Sequence, residues 1–168
     1  MKYFLLFTCT LLSTLTFSQE KTSIETSTYY FIRHAEKDRS DQTNKNPHLT
    51  EIGKKRAEHW SQILAHVKFD AIYSTDYNRT KETAQPTATK NGLELTLYHP
   101  YKLDKNSFLK DTQGKTVLVV GHSNTTPKFV NAILGFNKYE DINDSNNGNL
   151  YIVTVIDGKI AGQVLSIN

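Results

Sequence analysis

Thr116-Val117-Leu118-Val119-Val120 is an unbroken apolar run that ends in Gly121-His122-Ser123-Asn124. A run without polar alternation is the pattern of a strand buried on both faces, as in a parallel sheet covered by helices on each side. Outward from it the chain alternates strand and helix signals. Upstream, Thr28-Tyr29-Tyr30-Phe31-Ile32 is β-branched and aromatic and reads as a strand ending at Arg33-His34. Thr50 is placed to cap a helix from Glu51 to about His66, with Ile52, Ala57, Trp60, Ile63 and Leu64 on its apolar face. Ala71-Ile72-Tyr73 is a short strand, and a helix from about Tyr77, carrying Pro86, is expected to stop at Asn91-Gly92. Leu93 to Tyr98 alternates as a strand, and Asp104 to Asp111 reads as a short helix. Downstream, Asn124 to Leu134 is helical and Gly135 to Gly148 is a polar loop. Leu150 to Ile156 and Lys159 to Leu165 form a hairpin across the turn dipeptide Asp157-Gly158. The expected fold is α/β: a three-layer sandwich with a mostly parallel central sheet, helices on both faces and a C-terminal antiparallel hairpin.

The 168 residues favour one domain, here expected over residues 28–168, and 38% hydrophobic content is enough for a packed core. With 20 basic against 17 acidic side chains, the chain lacks the charge footprint of a nucleic-acid binder, and no nucleic-acid partner is expected. Its first residues read as a secretory signal peptide, residues 1–18. Lys2 opens it, Tyr3 to Phe17 is apolar apart from Thr, Ser and Cys9, and Thr16-Phe17-Ser18 places small residues for cleavage before Gln19. Residues 19–27 follow as a polar lead-in. The run falls short of the ~20 apolar residues a membrane span requires, so a secreted or periplasmic protein without stable membrane insertion is expected. Cys9 is the only cysteine, so the mature chain has no disulfide, thiolate metal site or cysteine nucleophile.

Open α/β sheets bind ligands beyond the carboxyl ends of their strands. Here those ends are Arg33-His34-Ala35-Glu36, Ser74-Thr75 running into Arg79, and Gly121-His122-Ser123-Asn124. Three strands therefore bring two histidines and two arginines to one edge. Arginine's planar fork suits phosphate, neutral imidazole is a nucleophile at neutral pH, and a second imidazole can stabilise phosphoryl charge in the transition state. The set suits phosphoryl transfer with no metal and no cofactor.

At these residues the sequence resembles the histidine phosphatase superfamily, with its phosphoglycerate mutase-like fold. Phe31-Ile32-Arg33-His34-Ala35-Glu36-Lys37 is similar to the signature strand and loop. His48-Leu49-Thr50-Glu51-Ile52-Gly53 resembles the helix start that follows it. Tyr73 to Ala84 resembles the second-arginine motif, and Val119-Val120-Gly121-His122-Ser123 the second-histidine motif. The resemblance implies that His34 is the nucleophile that becomes phosphorylated and that Arg33, Arg79 and His122 line the phosphate pocket. The short segments between motifs leave little material for a lid, which points to the small single-domain branch.

The family's leaving-group acid has no obvious counterpart. One branch places a carboxylate just after the second histidine, where this chain has Ser123-Asn124. Another places a Glu in the region occupied here by Tyr98-His99-Pro100-Tyr101. Glu36, His99 and Asp104 remain as candidates, and Ser123, Asn124 and Glu36 are expected to touch substrate. Asn124-Thr125-Thr126 is either a helix start whose amides face phosphate or only a cap. His59 and His66, seven residues apart, read as a solvated pair rather than metal ligands, and His48-Leu49-Thr50 with His59-Trp60-Ser61 brackets one helix start instead of facing strands. The expected activity is that of an exported, metal-independent phosphomonoesterase of the histidine type, acting on a phosphoprotein or a small phosphate ester. The alternative is a catalytically idle module that binds phosphate or phosphoprotein.

Overall fold

The structure, a computed structural model, describes residues 25–167; the expected signal peptide and most of the polar lead-in lie outside the described residues. Its elements are β1 (Thr26–Arg33), α1 (Glu51–Ile63), β2 (Ala71–Thr75), α2 (Asn78–Asn91), β3 (Leu95–Tyr98), α3 (Lys105–Asp111), β4 (Thr116–Gly121), α4 (Thr125–Leu134), β5 (Asn149–Ile156) and β6 (Lys159–Ser166). They build one six-stranded sheet in the order β3-β2-β4-β1-β5-β6. The pairs β3–β2, β2–β4 and β4–β1 are parallel, whereas β1–β5 and β5–β6 are antiparallel.

The apolar run at 116–120 is the centre of this sheet. Val117 and Val119 face a core completed by Phe108 of α3 and Val130 and Ile133 of α4. Leu118 and Val120 face the other core, with Trp60 of α1 and Ala84 and Ala88 of α2. Each face of β4 thus lies under a separate helical layer, which is why the run carries no polar alternation. Within it, register decides function: Arg33 pairs with Gly121 and Ser74 with Val120, so β1, β2 and β4 end at one level. His34, Thr75 and His122 consequently stand side by side where the strands give way to loops.

The element boundaries differ from the sequence expectation for identifiable reasons. β1 starts at Thr26, so the last two lead-in residues join the sheet, where buried Ser27 accepts a hydrogen bond from Gly114 N at 2.8 Å. α1 ends at Ile63 rather than near His66, because the chain turns there to bury both Leu64 and Phe69 under the sheet. Ile52 does not share the apolar face and is 67% exposed; the inward stripe runs Gly53, Ala57, Trp60 and Leu64. Gly53 sets that stripe, since a Cβ there would lie 2.2 Å from the Glu36 carbonyl oxygen. β3 begins at Leu95 instead of Leu93, because Gly92 takes a left-handed conformation and Leu93 N bonds Ala88 O, closing α2. Asp104 lies outside α3 and caps it, accepting from Ser107 N at 2.8 Å. At the hairpin, Asp157 and Gly158 both have positive φ (50° and 71°), as the two-residue turn requires. Among the described residues, no helix is long and apolar enough to cross a membrane.

Candidate active site

The level strand ends open into a cavity of about 220 Å³ lined by Arg33, His34, Lys37, Tyr77, Arg79, Pro100, Tyr101, His122, Ser123, Asn124 and Asp144. A larger hollow of about 830 Å³ lies between α1 and α2 and contains none of the strand-end groups.

His34 is 4% exposed. Its Nδ1 is 2.7 Å from Ala35 O, and a carbonyl can only accept, so Nδ1 carries the hydrogen and Nε2 keeps a bare lone pair. Burial lowers the imidazole pKa from 6.5 to about 3, with the Ala35 bond opposing and His122, Arg33 and Arg79 adding to the fall. The ring is therefore neutral at physiological pH, as a nucleophile must be. It meets His122 edge to face, ring centroids 5.5 Å apart. The turn after His34 is fixed from α2: Ala35 N donates to Thr83 Oγ1 at 2.9 Å, and Thr83 Oγ1 donates back to Arg79 O at 2.6 Å.

His122 is held from behind. Its Nε2 lies 3.0 Å from Thr75 Oγ1, which is 2.9 Å from Thr80 Oγ1, which in turn donates to Thr75 O at 2.8 Å. The Arg79 Nη2 donor sits 3.5 Å from Nδ1, so the neutral ring accepts there and its Nε2–H points to Thr75. Burial first, and then the Arg79, Lys37 and Arg33 charges, lower the His122 pKa to about 4. The Tyr77 ring packs edge-on against His122 and lies under the Arg79 guanidinium at 4.5 Å, so one aromatic ring orients both groups.

The two arginines are used differently. Arg33, expected to grip phosphate, spends most of its donors on the loop between α4 and β5. Nη1 bonds the carbonyls of Asn143, Asp144 and Asn146 at 3.0, 3.0 and 2.9 Å, and Nη2 bonds Asp144 Oδ1 at 2.6 Å. Its Nε is buried and has no partner among the described residues. Arg79 likewise has buried Nε and Nη1 groups without partners among the described residues. Unsatisfied buried donors cost about 1–3 kcal/mol each, so three unpartnered guanidinium nitrogens at one cavity describe a seat for an anion.

The substrate contacts expected from sequence divide. Ser123 and Asn124 line the cavity. Asn124 is the N-cap of α4 but makes no capping bond with its side chain. Glu36 does not line it: its Oε1 accepts from Arg56 Nε of α1 at 2.7 Å, and it borders an adjoining hollow of about 190 Å³. The acid candidates fare no better. Asp104 is occupied as the cap of α3, and His99 is outside the cavity with its Nδ1 accepting from Tyr101 N. Asp144 is the cavity's carboxylate, yet hydrogen bonds from Arg39 and Arg33 hold its pKa down to about 2, so it carries no proton to give at neutral pH. Among the described residues no three His, Cys, Asp or Glu side chains gather as a metal site, and His48 instead pairs with Glu82. Sequence reasoning missed Lys37, Tyr77, Tyr101 and Asp144 as lining groups. Tyr77 had a signal that could have found it, its place two residues before Arg79 at the mouth of α2.

A sequence model described as the histidine phosphatase superfamily, branch 1, matches residues 29–99, which include His34 and Arg79. Over these residues the chain matches the histidine phosphatase superfamily. Solved structures share the fold at low identity. YhfR of Bacillus stearothermophilus is 16% identical with a TM-score of 0.67, over 84% of this chain and 98% of that one. The protein histidine phosphatase SixA complexed with tungstate is 13% identical with a TM-score of 0.63, over 83% and 96%. A phosphoserine phosphatase from Entamoeba histolytica, in complex with 3-phosphoglyceric acid, is 20% identical with a TM-score of 0.62, over 84% and 98%. No curated protein matches the chain.

Proposed function

We propose that the protein is a phosphomonoesterase that works through a phosphohistidine at His34, without needing a metal, on a phosphoprotein or a small phosphate ester. The observation that carries this reading is the pairing of a bare His34 Nε2 with the bare donors of Arg79 and Arg33 in one cavity. A phosphoryl group seated on the guanidinium donors presents phosphorus to Nε2. As the N–P bond forms and the ester P–O bond breaks, positive charge develops on the imidazole, and the Nδ1–H bond to Ala35 O stabilises it. His122, kept neutral by burial and the neighbouring cations, stands where a dianion would favour its protonation and turn it into a further donor. Water then cleaves the N–P bond and releases inorganic phosphate.

The cavity's size supports recognition of the phosphoryl group and a few neighbouring atoms rather than a large ligand. Tyr101, 73% exposed, and Pro100 stand at its rim, which suits a phosphorylated side chain offered from a protein surface or a small ester. The same reading takes the enzyme to be exported, on the strength of the apolar run at residues 3–17; a native N-terminus at Gln19 would support that and one at Met1 would contradict it. The test of activity is turnover of 4-nitrophenyl phosphate by the wild type and by His34→Ala, with and without chelator. Hydrolysis that survives chelation and disappears in the variant supports the proposal. Phosphate binding without hydrolysis would instead make the protein a binding module, and activity lost to chelator and restored by a divalent ion would overturn the metal-free mechanism.

A further inference from the structure

One cation of the cavity belongs neither to the nucleophile nor to the anion seat. Lys37 lines both the cavity of His34, Arg79 and His122 and the adjoining hollow bordered by Arg39 and Asp144, so it stands on their shared wall. Its backbone is fixed: it forms an antiparallel bridge with Leu49, whose N–H is held by Glu82 Oε2 at 2.8 Å, and Asp38 N bonds His48 O at 2.8 Å. Among the described residues its ammonium has no ion-pair partner, because Asp144, the carboxylate of this cavity, is taken by Arg33 and Arg39. A cation beside other cations with no anion of its own is disfavoured unless something arrives to use it.

No carboxylic acid stands ready for the leaving-group oxygen. Asp144 is held ionised, Glu36 is turned to Arg56, and Asp104 and His99 are elsewhere. The geometry points to Lys37 as the proton donor to the leaving group, filling the role for which no carboxylic acid is available. This inference rests on the phosphatase reading above. In the first half-reaction His34 Nε2 forms the N–P bond while the ester P–O bond breaks. The departing oxygen takes a proton from the Lys37 ammonium and leaves as the alcohol. In the second half-reaction water attacks phosphorus and gives a proton to the Lys37 amine. The N–P electron pair returns to His34, and inorganic phosphate leaves. A lysine serves both halves only if its ammonium is more acidic than usual. Burial, and next the Arg79 and Arg39 charges, lower its pKa, with Asp144 opposing and Arg33 adding.

A donor is distinguished from a mere positive charge by the leaving group. The full chain and its Lys37→Ala and Lys37→Arg variants are compared on 4-nitrophenyl, phenyl and alkyl phosphates. Circular dichroism and inhibition by inorganic phosphate check that fold and phosphate site are intact. General acid catalysis contributes roughly 10²–10⁴-fold, so both variants should lose at least about 10²-fold in kcat on the alkyl ester and less than about tenfold on the nitrophenyl ester. Arginine keeps the charge but cannot give up a proton at neutral pH, so Lys37→Arg should fail on the alkyl ester as Lys37→Ala does. An alkyl-ester rate restored in Lys37→Arg, an equal loss on all three esters, or a wild type that cleaves only the nitrophenyl ester would each overturn the donor role. No hydrolysis of the nitrophenyl ester by the wild type would overturn the phosphatase reading itself.

Discussion

Thr83→Val tests how the nucleophile's turn is coupled to the helix that carries Arg79. The substitution is nearly isosteric, at a residue with 0% exposure, so packing changes little. What disappears is the hydroxyl that accepts from Ala35 N at 2.9 Å and donates to Arg79 O at 2.6 Å. Arg79 O is in the helix interior and keeps its backbone partner, so the second bond is dispensable. Ala35 N–H is different: Ala35 is also fully buried, no water can replace the lost acceptor, and the unpaired donor costs about 1–3 kcal/mol. Urea unfolding at pH 7 should therefore show Thr83→Val about 2 kcal/mol less stable than wild type, whereas Thr83→Ser, which keeps both bonds and loses one methyl, should lose about 1 kcal/mol or less. Because the free donor lies one residue from His34, kcat on 4-nitrophenyl phosphate should fall further in Thr83→Val than in Thr83→Ser. A Val variant as stable and as fast as the Ser variant would refute the argument that this hydroxyl positions the nucleophile.

Gly53→Ala should destabilise by at least about 2 kcal/mol in the same unfolding assay: helix propensity alone predicts a gain near 1 kcal/mol, but the new Cβ would meet the Glu36 backbone oxygen at 2.2 Å, and neither main chain can yield cheaply. Arg79→Ala should weaken inhibition by inorganic phosphate and lower kcat together, each charge-assisted bond lost being worth about 1.5–3 kcal/mol; a variant with wild-type inhibition would remove Arg79 from the anion seat. Stability should fall as pH drops from about 6.5 towards 4, because His34 and His122 have folded-state pKa values of about 3 and about 4 while the unfolded chain takes up protons near 6.5. Both contributions are fully present above that range, and His34→Ala should reduce the slope of stability against pH by about one proton; an unchanged slope would mean that the ring is not held neutral by burial.

How far the sequence could be read depended on the range of the interactions involved. The β4 run and the motifs at the ends of β1, β2 and β4 were legible because strand burial and strand-end position are local properties. Arg33 and His122 could be placed at the right edge without knowing any contact. The partners of Arg33 could not, since Asn143, Asp144 and Asn146 lie over a hundred residues away in a polar loop whose path is set by α4 and the antiparallel return of β5. The same distance hid Asp144 as a cavity residue. Glu36 looked like a site acid from its place two residues after His34, but the bridge that pairs Lys37 with Leu49 turns it to Arg56 of α1. Ile52 was misassigned because periodicity alone does not fix which stripe faces inward; here the close approach of Gly53 to Glu36 does. Thr75, Thr80 and Thr83, unremarkable as small polar residues, form the hydrogen-bonded backing of the two histidines.

The central claim is that His34 attacks phosphorus, and the phosphoenzyme tests it most directly. Wild-type protein is mixed with phosphate-labelled substrate, quenched rapidly without acid, and mapped by peptide, with each labelled peptide then exposed to acid and to alkali. A covalent two-step mechanism requires an intermediate, and its N–P bond should break in acid and survive alkali. The structure predicts label on His34, lost in His34→Ala and still trappable in His122→Ala, whose imidazole stabilises rather than attacks. Label on Ser123, Ser74 or Asp76, or steady turnover with no label on His34 under any quench, would contradict it.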